Sequence, residues 1–212
     1  MIYDALMRLP FLAWVLVSAL VQAAGLLRLE HTVIDPGYAV HLVMRLSTIA
    51  FLLLLAASVL LRTRPSIKAS GLEPRISALA GTFLMYGVAF FPRHELSTSA
   101  EAISTMLTLI GSAGAIVALS QLGRSFSIMA ESRRLVTSGP YRFVRHPLYL
   151  AEEIAFIGLF MQFASMWAVL LLVAQIAFQI RRIHNEEVVL AASFPEYQAY
   201  QSTTARLIPS VY

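Results

Sequence analysis

The sequence predicts an all-α membrane protein, a polytopic helical bundle with about six transmembrane helices. Of its 212 residues, 58% are hydrophobic and only 13% are charged, whereas an ordinary soluble domain carries about 25% charged residues. The mean hydropathy is +0.71, and the basic residues lie between long apolar runs. This composition excludes a soluble domain, and a membrane explains the net charge of +4 better than a nucleic-acid partner does.

Apolar runs between charged residues predict the first four spans. A run of about 20 apolar residues crosses the hydrocarbon core as a helix. Arg8 and the first run together resemble a signal peptide, but the run continues to Leu27, so we expect it to remain uncleaved. The four runs are residues 9–27, 46–61 (extensible back to 38), 76–91 and 102–123.

The fifth apolar run, residues 154–180, is longer than one crossing requires. As a single helix it would measure roughly 40 Å against a core of about 30 Å. Basic residues are concentrated in 62–75, in 124–149 and in the tail after residue 180. The positive-inside rule puts all three segments in the cytoplasm, so the last two must be separated by an even number of crossings. We therefore predict a hairpin that turns near Ala164 to Trp167, with one tilted helix as the alternative.

This topology divides a single membrane domain into two parts. Residues 1–123 form four transmembrane helices, and residues 124–212 form a loop, the helical hairpin and a C-terminal cap. The fifth helix is predicted to be short and to begin near Pro147, because proline suits the first position of a helix. The sixth is predicted to run past the membrane to about residue 192.

Two polar segments, residues 133–153 and 181–200, flank the hairpin and are predicted to meet across its open end. The helix start at Pro147 offers free backbone N–H groups to a polar ligand, or the segment simply anchors the helix at the interface. Glu152 and Glu153 follow in the first turns, close to the hydrocarbon, where carboxylates need partners.

In the second segment, Arg182 and Glu186 lie four residues apart and share a helix face. One interpretation is an exposed ion pair that contributes little stability. The other is a binding site, in which Glu186 and Glu187 hold a cationic or hydroxyl-rich group and Arg182 binds an anion.

Searches for other chemistry find no supporting pattern. The five histidines have no metal-ligand spacing, and the absence of cysteine excludes thiolate sites. No phosphate-binding loop, dinucleotide fingerprint or serine-nucleophile motif is present. Gly111 and Gly114 are interpreted as close helix packing. The sequence thus predicts no metal site, and hydrolase and ATPase functions have no support.

The C-terminal motifs resemble those of integral-membrane methyltransferases, which include the isoprenylcysteine carboxyl methyltransferases and phospholipid N-methyltransferases. The resemblance covers roughly residues 120–209. It rests on LVTSGPYRFVRHPLYL, then a helical hairpin, RxxxEExxL, FPEYxxY, and the late Arg206 and Pro209. The order of these pieces is specific, although each piece alone is weak.

The resemblance implies S-adenosylmethionine as the methyl donor, in a cytoplasm-facing pocket that a lipophilic acceptor reaches from the bilayer. By matching position, Arg182 would lie beside the methyl acceptor and Glu186 would bind the polar end of the donor, so both are predicted as catalytic. Glu187 is the second carboxylate of the pair. The remaining cofactor-binding residues implied by the resemblance are Leu135 and Val136 through their backbone, and Tyr141, His146, Pro147, Leu148 and Tyr149.

Ala151 and Pro195 stand where the family commonly has glycine, which leaves the acceptor open between a carboxylate, a thiol and an amine. The implied partners are a lipophilic or lipid-linked substrate and membrane lipids, without nucleic acid. Two other functions remain open: an NADPH-dependent enzyme like the membrane sterol reductases, and a non-enzymatic membrane carrier. The sequence has few basic groups for a 2′-phosphate, and Arg45 is the one charge well inside a predicted span, where it could reach the interface.

Overall fold

A computed structural model describes residues 2–27 and 36–209, and the chain forms two compact units, Met1–Leu61 and Arg62–Tyr212. The first unit consists of helices α1 (Ile2–Leu27) and α2 (Pro36–Leu61). Arg45 in α2 donates a hydrogen bond to Gln22 of α1 at 3.2 Å. This cation inside a predicted span thus has a polar partner within the unit. Its guanidinium also occupies the space that a side chain at position 25 would need.

The second unit contains the other described helices and a small sheet. Its helices are α3 (Glu73–Phe83), α4 (Thr98–Leu122), α5 (Pro147–Gln162), α6 (Met166–Ser193) and α7 (Tyr197–Thr203), with 3₁₀ turns at Leu84–Phe90, Gly123–Ser125 and Gly139–Arg142. Strands β1 (Ile67–Lys68) and β2 (Glu131–Ser132) pair antiparallel, with Ile67 opposite Ser132.

The structure confirms a polytopic helical membrane protein. Within the described residues, four helices are long and apolar enough to cross a bilayer: Leu9–Leu27, Leu42–Leu61, Thr98–Ser125 and Met166–Ser193. The predicted third span is α3 continued by a 3₁₀ stretch, and α5 has 16 residues. Helix α3 alone has 11 residues, and neither it nor α5 reaches the about 20 residues of a typical transmembrane helix, so the count of six crossings stays a prediction. The division at residue 123 also stays a prediction.

The predicted hairpin is confirmed, because α5 ends at Gln162 and α6 begins at Met166. The turn falls slightly earlier than expected. Ser165 is the N-cap of α6, and its hydroxyl accepts a hydrogen bond from the backbone N–H of Ala168 at 3.2 Å, which starts the helix before Trp167. The predicted start of α5 at Pro147 and the end of α6 near residue 192 also agree with the structure.

Helix α4 packs closely on α5 through small residues. A Cβ atom at Gly111 would lie 2.6 Å from the carbonyl oxygen of Ala151 and 2.7 Å from the Cβ of Ala155. At Gly158, a Cβ would lie 2.7 Å from the carbonyl oxygen of Ser104. The packing interpretation of Gly111 and Gly114 is therefore confirmed, and α4 holds α5 at backbone distance.

Candidate active site

The two polar segments meet at the open end of the α5–α6 hairpin, as predicted. The backbone N–H groups of Arg145 and His146 donate to the carbonyl oxygens of Ala205 and Arg206, at 2.8 and 3.1 Å. The hydroxyl of Tyr200 in α7 donates to the Tyr141 carbonyl oxygen at 2.5 Å. The chain after α6 thus folds back over the start of α5.

Two adjoining cavities with about 400 and 450 Å³ of empty space lie beneath this segment. We call them together the pocket. Both cavities are lined by Leu122, Ser125, Glu131, Tyr141, Arg145 and Glu186. The first adds Phe126, Ser127, His146, Leu148 and Tyr149, and the second adds Arg133, Arg134, Leu135, Val136, Leu190, Tyr197 and Tyr200.

Glu186 and two tyrosines form the polar part of the wall. The Tyr149 hydroxyl donates a hydrogen bond to Glu186 Oε2 at 2.5 Å. Tyr141 is only 6% exposed, and its hydroxyl has no hydrogen-bond partner. Burial and, next, the charge of Glu186 raise the pKa of Tyr141 well above its usual value. The Tyr141 hydroxyl is therefore a protonated, unpartnered donor at the pocket wall.

Glu187, unlike the adjacent Glu186, points away from the pocket and into a group of basic side chains. Its Oε1 accepts from Arg145 Nε at 2.8 Å and contacts His146 Nε2 at 3.2 Å, and its Oε2 pairs with Arg206 Nη2 at 2.8 Å. Glu187 is 5% exposed and lines neither cavity. It ties α6, the start of α5 and the C-terminal segment together; we call this group the Glu187 clamp.

Arg182 is buried, so the exposed ion-pair interpretation is wrong for this residue. It is 2% exposed, and its Nη1 lies 3.9 Å from Glu152 Oε2 and 3.4 Å from Gln179 Oε1. Its guanidinium carbon lies 4.4 Å from the ring centre of Tyr149, a cation–π distance. Tyr149 therefore separates Arg182, on its ring face, from Glu186, at its hydroxyl.

Amide side chains on α6 provide partners for the two carboxylates that the sequence placed near the hydrocarbon. Gln179 Nε2 donates to Glu152 Oε2 at 3.0 Å, and Gln175 Nε2 donates to Glu153 Oε1 at 2.8 Å. We call Glu152, Glu153, Gln175, Gln179 and Arg182 the polar cluster. It lies between α5 and α6, and none of its residues lines either cavity.

Sequence reasoning missed Glu131, which lines both cavities. Its Oε2 accepts from Ser127 at 3.0 Å and from Arg133 at 2.5 Å, and its Oε1 lies 3.4 Å from Lys68 Nζ. Burial raises the pKa of Glu131, but the hydrogen bonds and charges of Arg133, Ser127 and Lys68 outweigh burial and lower it below 4.5. The pairing of β1 with β2 brings Lys68 to it, and no local sequence signal reveals that pairing.

The pocket brings together seven of the residues selected from the sequence. They are Leu135, Val136, Tyr141, His146, Leu148, Tyr149 and Glu186. Pro147 is buried at the first position of α5, Glu187 is in the clamp and Arg182 is in the polar cluster. The functional roles of all ten remain predictions. Among the residues that the structure describes, no group of three or more His, Asp or Glu side chains is placed to hold a metal ion.

Comparisons with known proteins support the resemblance drawn from the sequence. The model of the isoprenylcysteine carboxyl methyltransferase family matches residues 104–192. The fold is similar to that of the eukaryotic intramembrane Ras methyltransferase from this family, with a TM-score of 0.54, 21% identity, and coverage of 99% of this chain and 77% of that one. At this identity the structural match shows the fold alone.

Two curated relatives are bacterial metal-resistance proteins. The chain is 33% identical over 112 residues to the cobalt-zinc-cadmium resistance protein CzcN of Cupriavidus metallidurans, covering 50% of this chain and 51% of that protein. It is 30% identical over 112 residues to the nickel-cobalt-cadmium resistance protein NccN of Alcaligenes xylosoxydans xylosoxydans, covering 50% and 52%. The chain therefore spans about half the length of the curated relatives it matches.

Proposed function

We propose that this chain, an isoprenylcysteine carboxyl methyltransferase-like membrane protein by its residues 104–192 and its fold, is an S-adenosylmethionine-dependent methyltransferase that acts on a lipophilic acceptor. The observation that carries the proposal is the pocket itself. Its wall combines the Glu186 carboxylate with the unpartnered, buried hydroxyl of Tyr141. A carboxylate and a free donor suit the ammonium and hydroxyl groups at the polar ends of such a donor molecule.

In this proposal, Glu186 binds the positively charged amino group of the donor, and Tyr149 orients Glu186 through their hydrogen bond. Leu135 and Val136 line the second cavity, where their backbone would contact the rest of the donor. The donor supplies a methyl group on a sulfonium, and its transfer is an in-line displacement that requires alignment more than acid–base chemistry. The main contribution of the protein is then to position both reactants and to exclude water.

The acceptor approaches from the opposite side of Tyr149. Arg182 and Glu152 lie there between α5 and α6, and α6 is long and apolar enough to cross a bilayer. A lipophilic molecule in the membrane can thus bring a polar head to Tyr149 while its tail remains in lipid. By the distribution of basic residues, the pocket faces the cytoplasm.

Binding measurements separate this proposal from the two alternatives. The protein purified in detergent is titrated with S-adenosylmethionine and with NADPH by calorimetry. We expect saturable binding of the first only. A sterol-reductase-like enzyme would bind NADPH, and a carrier would bind neither.

The variant that tests the site is Glu186→Gln, which keeps the shape of the side chain and removes its charge. We expect at least tenfold weaker binding of S-adenosylmethionine, since a charge-assisted hydrogen bond contributes about 1.5–3 kcal/mol. Glu196→Gln is the matched control, because Glu196 is exposed and lines neither cavity. Equal affinities for the parent, Glu186→Gln and Glu196→Gln would contradict the proposed role.

A further inference from the structure

The pocket wall has two carboxylates, and they differ in how their charge is compensated. Glu131 Oε2 lies 2.5 Å from Arg133 Nη2, and its Oε1 lies 3.4 Å from Lys68 Nζ. Within the part of the chain that the structure describes, no cation forms a salt bridge with Glu186, whose Oε2 accepts from the neutral Tyr149 hydroxyl. A positively charged group of a ligand is therefore attracted to Glu186, whereas at Glu131 it would meet two cations.

Glu131 can still accept hydrogen bonds from a ligand. A carboxylate offers about four lone-pair sites, and the two oxygens of Glu131 contact Ser127, Arg133 and Lys68. Arg133 Nη1 is buried without a hydrogen-bond partner, and Arg133 and Arg134 both line the second cavity. This excess of positive charge disfavours a cation beside Glu131, so the donor that suits its free acceptor capacity is a neutral one.

The strand that carries Glu131 is fixed on both sides. Ser132, the next residue of β2, is 0% exposed. Its hydroxyl accepts from the backbone N–H of Ile67 in β1 at 3.0 Å and lies 2.6 Å from Ser193 Oγ in α6. Because β2 is anchored to a strand and to a helix, the position of the Glu131 carboxylate is set before a ligand arrives, as a specific binding site requires.

The chemical groups of S-adenosylmethionine match these two carboxylates differently. Its amino group is a cation and suits the uncompensated Glu186. Its ribose carries two adjacent neutral hydroxyls, and both can donate to one carboxylate. The adenine amino group is also a neutral donor, but it stands next to a ring nitrogen whose lone pair a carboxylate repels. The ribose hydroxyls are therefore the groups that fit Glu131 best.

We infer that Glu131 binds the ribose hydroxyls of the methyl donor and makes the pocket selective for a nucleoside in which both hydroxyls are free. This assignment rests on the proposed function and divides the pocket between two carboxylates, with Glu186 at the amino acid and Glu131 at the sugar. It depends on the ion pairs of Glu131 and on its place in both cavities, and not on the motifs that indicate the methyl donor.

The test measures binding of three related ligands to the full chain in detergent by calorimetry. S-adenosylhomocysteine is the reference, its 2′-deoxy analogue lacks one ribose hydroxyl, and 5′-methylthioadenosine keeps the ribose but lacks the amino acid. The variants are Glu131→Gln, Glu186→Gln and, as the control, Glu196→Gln, whose side chain is exposed and lines neither cavity. Each ratio compares two ligands on one variant, so partial unfolding of that variant affects both ligands alike.

We expect the parent to bind S-adenosylhomocysteine about tenfold or more tightly than either analogue, because each analogue lacks a hydrogen bond to a charged group. Glu131→Gln should lose most of the preference over the 2′-deoxy analogue and keep the preference over 5′-methylthioadenosine. Glu186→Gln should show the reverse pattern. The control should keep both preferences of the parent.

A fourth ligand separates the sugar from the base. S-inosylhomocysteine has a carbonyl oxygen where adenine has its amino group, and its ribose is unchanged. We expect Glu131→Gln and the parent to discriminate equally against this ligand. A loss of that discrimination in Glu131→Gln would mean that Glu131 binds the base, and it would overturn the assignment to the ribose.

Three further outcomes would overturn the assignment. They are equal affinities of the parent for S-adenosylhomocysteine and its 2′-deoxy analogue, an unchanged preference between these two in Glu131→Gln, and loss of the amino-acid preference in Glu131→Gln. In each of them S-adenosylhomocysteine still binds, so the proposed function stands and only the role of Glu131 fails. If neither S-adenosylhomocysteine nor S-adenosylmethionine binds to the parent, the methyltransferase proposal is wrong and the assignment falls with it.

Discussion

Adjacent residues on α6 have separate tasks. Glu186 lines the pocket, whereas Glu187 is surrounded by Arg145, His146 and Arg206. Successive helical residues differ in direction by about 100°, so neighbouring carboxylates necessarily face different surroundings. Of these two adjacent glutamates, Glu186 is therefore placed to contact a ligand, whereas Glu187 stabilises the fold through its ion pairs.

Removing the charge of Glu187 should destabilise the protein. Glu187→Gln leaves Arg145 and Arg206 without their carboxylate at a site where Glu187 is 5% exposed, and breaking such a buried pair costs about 3 kcal/mol or more. We expect a clear fall in the thermal unfolding midpoint, measured by intrinsic fluorescence. Glu186→Gln should leave the midpoint close to that of the parent, and the reverse ranking of the two variants would refute this division of roles.

Substitutions of Arg182 should distinguish charge from shape. Arg182→Met removes the cation that compensates Glu152, so we expect lower turnover with an unchanged affinity for S-adenosylmethionine. Arg182→Lys keeps a charge that can pair with Glu152 and lie over the Tyr149 ring, so it should retain most turnover. A Lys variant as inactive as the Met variant would indicate that the two-pronged geometry of arginine is essential.

The stability contributed by Glu131 should depend on pH in one direction. Its folded pKa lies below 4.5, so the contribution is complete above the unfolded pKa and is lost as pH falls through the folded pKa. Unfolding midpoints of the parent and Glu131→Gln should therefore differ most at neutral pH and converge on acidification below about pH 4.5. A difference that stays constant down to the acid limit of the protein would contradict the assignment.

Among the elements, α5 is the one that the site depends on most. It starts beside the pocket, carries Tyr149 and both cluster carboxylates, and is held by α4 at backbone distance. Its 16 residues make it shorter than a typical transmembrane helix of about 20 residues. Because so much of the site is attached to one short helix, its packing against α4 determines where those side chains lie.

Adding a methyl group at that helix contact should destabilise the protein more where less space is available. A Cβ at Gly111 would lie 2.5 Å from the backbone nitrogen of Ala155, whereas one at Gly114 would lie 3.1 Å from the Cβ of Ala151. We expect Gly111→Ala to destabilise the protein by about 1–3 kcal/mol and to reduce S-adenosylmethionine binding. Gly114→Ala, in the same helix, should cost much less. Similar unfolding midpoints for the two variants would show that α4 and α5 separate freely.

Local patterns predicted the ends of the hairpin but not the partners within it. Pro147 marks the start of α5 because proline lacks a donor that the first turn does not need, and the basic segments indicated two crossings. The i, i+4 spacing on α6 favoured Arg182 with Glu186, but the nearer carboxylate, Glu152, comes from α5. Contacts between helices depend on their relative rotation, which a single sequence does not encode in any local pattern.

At the scale of the whole molecule, the distribution of basic residues predicts which ends of the helices face the cytoplasm. A reporter fused after Gly139 and another fused after Tyr212 should both lie in the cytoplasm, because the α5–α6 hairpin returns the chain to its starting side. Protease protection in sealed vesicles measures on which side of the membrane each reporter lies. A reporter fused near Ala164 should lie on the side opposite to the other two. Opposite locations for the first two fusions would exclude a hairpin that spans the membrane.

The return of the chain after α6 has a consequence for biosynthesis. Residues 197–206 contribute Tyr197 and Tyr200 to the pocket, and residue 206 completes the Glu187 clamp. While the ribosome still holds this segment in its exit tunnel, α5 and α6 have been made but the pocket lacks one wall. The proposed binding site is therefore completed after its helices, and a chain that stops before residue 197 would lack that wall.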